Sequence, residues 1–142
     1  MSWLPKNKVV VPVDFSEASL TALDSALELV ADASHLHAIH VLPVLEPADP
    51  GVIWNTVDNH SRAHHAEQAL REKLADAKWK SLQVKIAFGD PGHEIANFAQ
   101  ALSADLIALP SHGRTGISRI LLGSVAERVV RLSHCPVLVL KH

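Results

Sequence analysis

The chain has 142 residues, of which 48% are hydrophobic and 20% charged, a globular composition that excludes a disordered or fibrous protein. This length suits one hydrophobic core, and we expect residues 1–142 to form a single domain. The formal net charge of -2 provides no basic surface for a nucleic acid, so DNA and RNA are not expected partners. No apolar run reaches the roughly 20 residues of a membrane span, and no signal-peptide core precedes the first strand. We therefore expect a cytoplasmic protein that does not enter a membrane.

The first part of the chain alternates apolar segments with helical periodicity. Residues 8–13 are β-branched and predict a strand, after which Asp14 and Ser16 provide turn and cap residues. Apolar side chains then recur with helical spacing, and we expect this helix to end near Ser34. A second strand is predicted over residues 36–44, with prolines at its end.

The middle of the chain begins with residues 46–57, which hold two prolines and a glycine and predict a long irregular connection that acts as a mobile lid. Helical periodicity returns over residues 58–79 and predicts a long second helix. Residues 82–88 predict the third strand. A Gly-Asp-Pro sequence at residues 89–91 then provides a loop, a cap and the first residue of a third helix.

The last part of the chain contains a fourth strand over residues 105–109, a helix over residues 124–133 and a final strand over residues 136–140. Strands that alternate with helices predict an α/β fold in which a parallel sheet is covered by helices on both faces. We expect one doubly wound, Rossmann-like domain of five strands and four helices, with ligands at the carboxyl edge of the sheet. The final strand is expected at a sheet edge, and pairing of Val137–Leu140 with a second copy would protect it in a homodimer.

A glycine-rich stretch separates the fourth strand from the last helix. Residues 111–116 read Ser-His-Gly-Arg-Thr-Gly, and Gly123 and Ser124 directly precede the helix. Glycines allow a polyphosphate to approach the backbone, and the free N–H groups of a helix start attract anions. The stretch is not a Walker A loop, because no lysine follows the last glycine. From spacing alone, phosphate binding and simple termination of a strand and a helix both remain open.

Five motifs are spread along the chain: residues 10–16 (VVPVDFS), 89–91 (GDP), 111–113 (SHG), 121–129 (LLGSVAERV) and 135–139 (CPVLV). Together they resemble the universal stress protein family over essentially the whole chain. The resemblance implies the strand order 3-2-1-4-5. In the ATP-binding branch of this family, a glycine, two residues, a second glycine, nine residues, a third glycine and a Ser or Thr form the signature. Gly113, Gly123 and Ser124 match it, whereas Pro110 stands at the first glycine and has no N–H to donate.

The resemblance implies ATP as the ligand, with Mg²⁺ as its accompanying cation. It places the ribose and base at Pro12, Val13, Asp14 and Val41, and the phosphates at Gly113, Arg114, Gly123, Ser124 and Val125. Pro110 would contribute a carbonyl and an apolar ring. Asp14 suits the ribose hydroxyls, although capping of the next turn would also explain it. His112 either contacts phosphate or shapes the loop through the backbone.

The ten histidines suggest a metal site only weakly. His60 and His64 lie on one helix face, but no third ligand accompanies them, and no metal site is predicted. We expect an ATP-binding stress-response module with at most weak ATPase activity, because no nucleophile and base are paired in the sequence. The alternative is a dimeric interaction module from the branch without nucleotide, in which Pro110 marks loss of the site. An enzyme on this fold would need further catalytic residues.

Overall fold

The computed structural model describes residues 3–45, 58–112 and 122–141. Strands and helices alternate along these ranges, which confirms the predicted α/β fold. The elements are β1 (Val9–Pro12), α1 (Glu17–Ala26), β2 (Leu36–Leu42), α2 (Asn59–Lys73), β3 (Gln83–Phe88), α3 (Pro91–Leu102), β4 (Leu106–Pro110), α4 (Ser124–Leu132) and β5 (Val137–Leu140). None of the helices in these ranges is long and apolar enough to cross a membrane.

The strands form one parallel five-stranded sheet in the order β3-β2-β1-β4-β5, which confirms the predicted order. β1 is central, and β2 and β4 pair with its two sides. The chain moves outward from β1 through β2 to β3 and then crosses to β4 and β5. The direction of winding therefore reverses beside β1, and β5 lies at an edge as predicted.

The central strands β1 and β4 are buried on both faces of the sheet, which explains their continuous apolar sequences. Val9 and Val11 on one face belong to the same buried cluster as Leu23 of α1. Val10 on the other face belongs to a second cluster with Ile95 of α3. Two hydrophobic layers thus hold β1 rigidly at the centre of the molecule.

The first helix is shorter than the sequence predicted. It ends at Ala26 rather than near Ser34, and residues 27–29 and 33–35 form two short 3-10 turns. Val30 is buried as its spacing requires, but its backbone is extended and bridges to Lys6. Hydrogen bonding to the N-terminal segment replaces helical bonding here, because the Lys6 amide donates to the Leu29 carbonyl at 2.8 Å.

Other boundaries also differ from the prediction. α2 ends at Lys73, and only a 3-10 turn at Ala77–Trp79 continues toward β3, with Trp79 buried. β2 ends at Leu42, since Pro43 cannot donate to a sheet ladder. β4 extends through Pro110. The predicted connection at residues 46–57 lies outside the described residues.

Candidate functional site

The carboxyl ends of β1, β2 and β4 open onto one cavity of about 590 Å³. It lies beside β1, where the strand order reverses, which is where open parallel sheets bind their ligands. Every predicted site residue that the structure describes lines this cavity: Pro12, Val13, Asp14, Val41, Pro110, His112, Gly123, Ser124 and Val125. The predicted phosphate residues Gly113 and Arg114 lie outside the described residues.

The end of β1 presents the carboxyl group of Asp14. Its Oδ1 accepts from the Ser16 amide at 3.0 Å and from the Ser16 hydroxyl, and its own amide donates to Ser19 Oγ at 3.2 Å. Ser16 in turn caps α1 by accepting from the Ser19 amide at 3.1 Å. Asp14 therefore shapes the turn before α1 and also lines the cavity. The capping of the next turn, which the sequence offered as the alternative role of Asp14, is present in the structure.

The end of β2 presents an apolar surface. Ile39 is buried and Val41 half-buried, and both contribute to the second hydrophobic cluster. Because side chains alternate along a strand, His40 between them lies on the opposite face, next to Phe15. The Val13 amide donates to the Ile39 carbonyl at 2.8 Å and fixes β1 against β2 at this level.

Pro110 is the buried last residue of β4 and lines the cavity. The amides of Ile107 and Ser111 donate to carbonyls of the β5 side of the sheet, so the amide of Pro110 would point toward β1. Pairing of β4 with β1 has already ended at Ile107. The missing N–H of Pro110 consequently breaks no bond of the sheet ladder, and an otherwise unusual strand proline is accommodated.

α4 begins at the cavity without a side-chain cap. Its N-cap is Gly123, whereas α1, α2 and α3 are capped by Ser16, Asp58 and Asp90. The Gly123 amide donates to the Ser111 carbonyl at 2.7 Å, and its carbonyl accepts the first helical bond. The next N–H groups, starting at Ser124, are therefore the ones at the helix start without a helical acceptor.

Gly123 also allows a close approach between α4 and β4. A Cβ at this position would lie 3.0 Å from the Ser111 carbonyl oxygen and 3.4 Å from His112 Cα. Both neighbours are backbone atoms, which cannot rotate away. The resemblance placed Gly123 at the phosphates. In the structure its N–H is already bonded to the Ser111 carbonyl, and its lack of a side chain allows α4 to pack closely against β4.

Ser111 and His112 form the floor of the cavity beside α4. Ser111 is 8% exposed, and its Oγ lies 3.2 Å from His112 Nδ1. His112 Nε2 is buried and has no hydrogen-bond partner in the described part of the chain. A buried nitrogen of this kind costs about 1–3 kcal/mol in desolvation until a partner supplies a hydrogen bond. The residue that carries this nitrogen lines the cavity.

An ion-pair cluster holds the starts of α3 and α4 together at the rim. Asp90 caps α3 by accepting from the His93 amide at 3.0 Å, and it also contacts His93 Nδ1 at 2.9 Å and Arg128 Nη1 at 2.7 Å. Hydrogen bonds from His93, and then the Arg128 guanidinium, lower the pKa of Asp90 to about 2. A Cβ on Gly92 would meet the Arg128 side chain at 2.6 Å, so glycine lets that side chain cross α3. Pro91 next to this cluster lines the cavity.

Part of the wall was not predicted from the sequence: Ser19, Ile39, His40, Pro91, Ile95, Leu109, Ala126 and Glu127. Most of these adjoin a predicted site residue along the chain or lie near the start of a helix that follows a strand. The rule that such segments meet at the carboxyl edge could have identified them. Within the described ranges, no group of three or more His, Cys, Asp or Glu side chains could hold a metal ion.

Known proteins are similar to this chain in sequence and in fold. The sequence profile of the Universal stress protein family matches residues 6–141. Universal stress protein MJ0531 of Methanocaldococcus jannaschii is 36% identical over 95% of this chain and 82% of its own length. The solved structure of MJ0577 from the same organism superposes with a TM-score of 0.75 at 30% identity and covers 98% of both chains. A solved universal stress protein in complex with cAMP has a TM-score of 0.58 at 29% identity and covers 96% of this chain and 97% of its own.

Proposed function

The chain belongs to the universal stress protein family, and we propose that it binds an adenine nucleotide, ATP, as a stress-response or signalling module of the cytoplasm. The observation that carries this proposal is the cavity shared by the ends of three strands and the start of α4. A related protein of known structure is in complex with cAMP, itself an adenine nucleotide, which supports the same ligand class here.

The phosphate end of the proposed site lies between β4 and α4. The uncapped start of α4 directs N–H groups and the positive end of the helix dipole toward the cavity. His112 Nε2, buried without a partner among the described residues, would contact a phosphate oxygen. Phosphate oxygens would supply acceptors for the helix N–H groups and a partner for His112.

The spacing of the strands suits the rest of the nucleotide. Neighbouring strands lie about 4.8 Å apart, so β2 is roughly 10 Å from β4, with β1 between them. A nucleotide that extends across the strands would place its ribose at Asp14 and its base against Val41. The apolar surface of Ile39 and Val41 suits a flat base, while the Asp14 carboxylate suits ribose hydroxyls.

Pro110 is compatible with this proposal. Its ring forms part of the cavity wall. An N–H at this position would point along the sheet toward β1 rather than at α4, so its absence removes no donor from the start of α4. Mg²⁺ would enter as the counter-ion of the triphosphate. We propose binding rather than rapid hydrolysis as the function, with any ATPase activity weak.

Native mass spectrometry of freshly purified protein tests this function. The proposal predicts a bound species whose mass excess matches ATP, ADP or AMP and is lost on denaturation. Protein that purifies free of nucleotide and takes up none when ATP and Mg²⁺ are added would instead favour the dimeric interaction module.

A homodimer through β5 is a second part of the proposal. Among the described strands, β5 pairs only with β4, and all four of its residues are half-buried in the single chain. Val130 and Leu132 of the neighbouring α4 are 47% and 42% exposed. A second copy paired along Val137–Leu140 would supply hydrogen bonds for the free edge and cover adjacent apolar surface.

A further inference from the structure

The imidazole of His40 contacts the two residues that flank Asp14. Its Nδ1 lies 2.6 Å from the Val13 carbonyl oxygen. A carbonyl oxygen only accepts hydrogen bonds, so Nδ1 is the donor. The His40 ring also packs edge-on against the ring of Phe15, with centroids 4.9 Å apart and planes at 80°. One side chain of β2 therefore holds the turn at the end of β1 on both sides of Asp14.

The contact with Val13 fixes the peptide group that leads into Asp14. The Val13 carbonyl and the Asp14 amide belong to one planar unit. The carbonyl accepts from His40, while the amide donates to Ser19 Oγ at 3.2 Å. Because both polar groups of this peptide are bonded, its plane is held in place. The direction in which the Asp14 side chain leaves the backbone is restricted accordingly.

Phe15, on the other side of Asp14, has a backbone conformation that bulky residues rarely adopt. Its φ is 65°, in the left-handed region. Such a conformation persists only where the surrounding contacts hold it. The bonds from Ser16 to Asp14 Oδ1 close the turn, and the ring of His40 packs against the Phe15 side chain. The contact between the two rings therefore supports the turn that presents Asp14.

His40 is placed to act through this turn and not on the base. Side chains alternate along β2, so His40 lies on the sheet face opposite Val41 and does not approach a base packed there. The Asp14 residue, by contrast, lines the cavity. An effect of His40 on a ligand at Asp14 consequently passes through Val13 and Phe15.

We propose that His40 and Phe15 are positioning residues, which hold the Asp14 carboxylate where it accepts hydrogen bonds from the ribose hydroxyls. This inference rests on the proposed nucleotide binding and names the contacts that set the geometry of Asp14. An acceptor that is already oriented loses less conformational freedom when the ligand binds. Loosening the turn should therefore weaken recognition of the ribose more than binding of the base and the phosphates.

Titration of the full chain with ATP and with 2′,3′-dideoxy-ATP tests the role of the turn. The second probe lacks both ribose hydroxyls and keeps the base and the phosphates. For the wild-type protein we expect ATP to bind about tenfold or more tightly than dideoxy-ATP, because hydrogen bonds to a charged acceptor are lost with the analogue. Asp14→Asn keeps an Oδ1 for Ser16 but loses the charge, and this ratio of affinities should fall.

Two variants loosen the turn in different ways. His40→Ala removes both of its contacts, whereas Phe15→Gly removes the ring and lets glycine adopt a φ of 65° without strain. In each variant the ratio should fall about threefold or more, as for partial loss of a charged hydrogen bond. His40→Asn can still donate to the Val13 carbonyl and should retain more of the ratio than His40→Ala. His65→Ala, an exposed change on α2, should leave the ratio intact.

Combining His40→Ala with Asp14→Asn separates positioning from general support of the fold. If His40 acts through Asp14, the double variant should have the same ratio as Asp14→Asn alone. A further fall in the double variant would show that His40 acts independently of Asp14 and would overturn the inference. A purely structural role would weaken ATP and dideoxy-ATP by the same factor, and an unchanged ratio in His40→Ala therefore overturns it as well.

Failure of this inference is distinguishable from failure of nucleotide binding. A wild-type protein that binds neither probe overturns both proposals. A wild-type protein that binds the two probes equally tightly overturns the positioning of Asp14 and leaves nucleotide binding standing. If His40→Ala does not fold, Phe15→Gly decides the question, since a wild-type ratio in folded Phe15→Gly protein contradicts the proposed role of the turn.

Discussion

The amide of Gly123 donates to the carbonyl of Ser111 at 2.7 Å, and this bond joins the start of α4 to the end of β4. It positions the uncapped helix start over the cavity and leaves the following N–H groups directed into it. The proposed phosphate site therefore depends on a contact too close for a side chain, because a Cβ on Gly123 would lie 3.0 Å from the Ser111 oxygen.

Gly123→Ala should weaken ATP binding about tenfold or more. The added Cβ pushes α4 away from Ser111, at a cost of about 1–3 kcal/mol that is typical of overpacked sites. Calorimetric titration gives the affinity, and urea denaturation gives the free energy of unfolding. Gln100→Ala, an exposed change near the far end of α3, serves as the control. Full ATP affinity in Gly123→Ala would show that this close contact does not shape the site.

His112→Asn should affect stability and binding differently. Asn can keep a polar contact with Ser111 Oγ while removing the buried Nε2 that has no partner in the described ranges. We expect the free energy of unfolding without ligand to stay within about 1 kcal/mol of wild type. ATP affinity should fall about tenfold, since a hydrogen bond to a charged group is lost. A variant that loses stability but binds ATP normally would assign His112 a purely structural role.

Asp90 should contribute stability that disappears in acid. Its pKa in the folded protein is about 2, below the ordinary value of 3.8, so the folded state binds the proton less readily than the unfolded chain. The contribution is therefore complete above about pH 4 and is lost as the pH falls through 2.

Asp90→Asn tests this dependence. The variant should be less stable than wild type at neutral pH, and the difference should shrink between about pH 4 and pH 2. Urea denaturation across this range measures it, with Glu67→Gln on exposed α2 as a control for loss of one negative charge. A difference that is constant with pH would contradict a role for the Asp90 carboxylate.

The proposed dimer predicts opposite effects for prolines at adjacent positions of β5. The Pro136 and Leu140 carbonyls accept from β4, so the backbone groups of Leu138 point inward and those of Val139 point to the free edge. Val139→Pro should give folded monomers, because only the outward N–H is lost. Leu138→Pro should instead break the β4–β5 ladder and lower stability. Analytical ultracentrifugation and circular dichroism distinguish these results, and a dimeric Val139→Pro protein would refute the interface.

The fold was predictable because its signals are local and agree with one another. Apolar strands, helical periodicity and cap residues such as Ser16 and Asp90 marked each element, and the strand order followed from the resemblance. The end of the first helix was not predictable. Val30 continues the helical spacing, yet it forms a β-bridge with Lys6, which is distant in sequence. Periodicity reports which side chains are buried and not how the backbone is bonded.

The site was predictable where the family resemblance assigns residue positions. The resemblance placed Gly123, Asp14 and Val41, and the structure brings them to one cavity. His40 was overlooked as part of the cavity wall, because the Val13 carbonyl that it contacts lies 27 positions away in sequence. Likewise, the tolerance of Pro110 depends on where the pairing between β1 and β4 ends, and the motif contains no information about that.

Isothermal titration of the wild-type protein with ATP in the presence of Mg²⁺ measures nucleotide binding at this cavity. We expect a saturable binding isotherm with one nucleotide per chain, and competition by ADP or AMP for the same site. Absence of binding heat at millimolar ATP, with a folded protein confirmed by circular dichroism, would contradict nucleotide binding at this cavity.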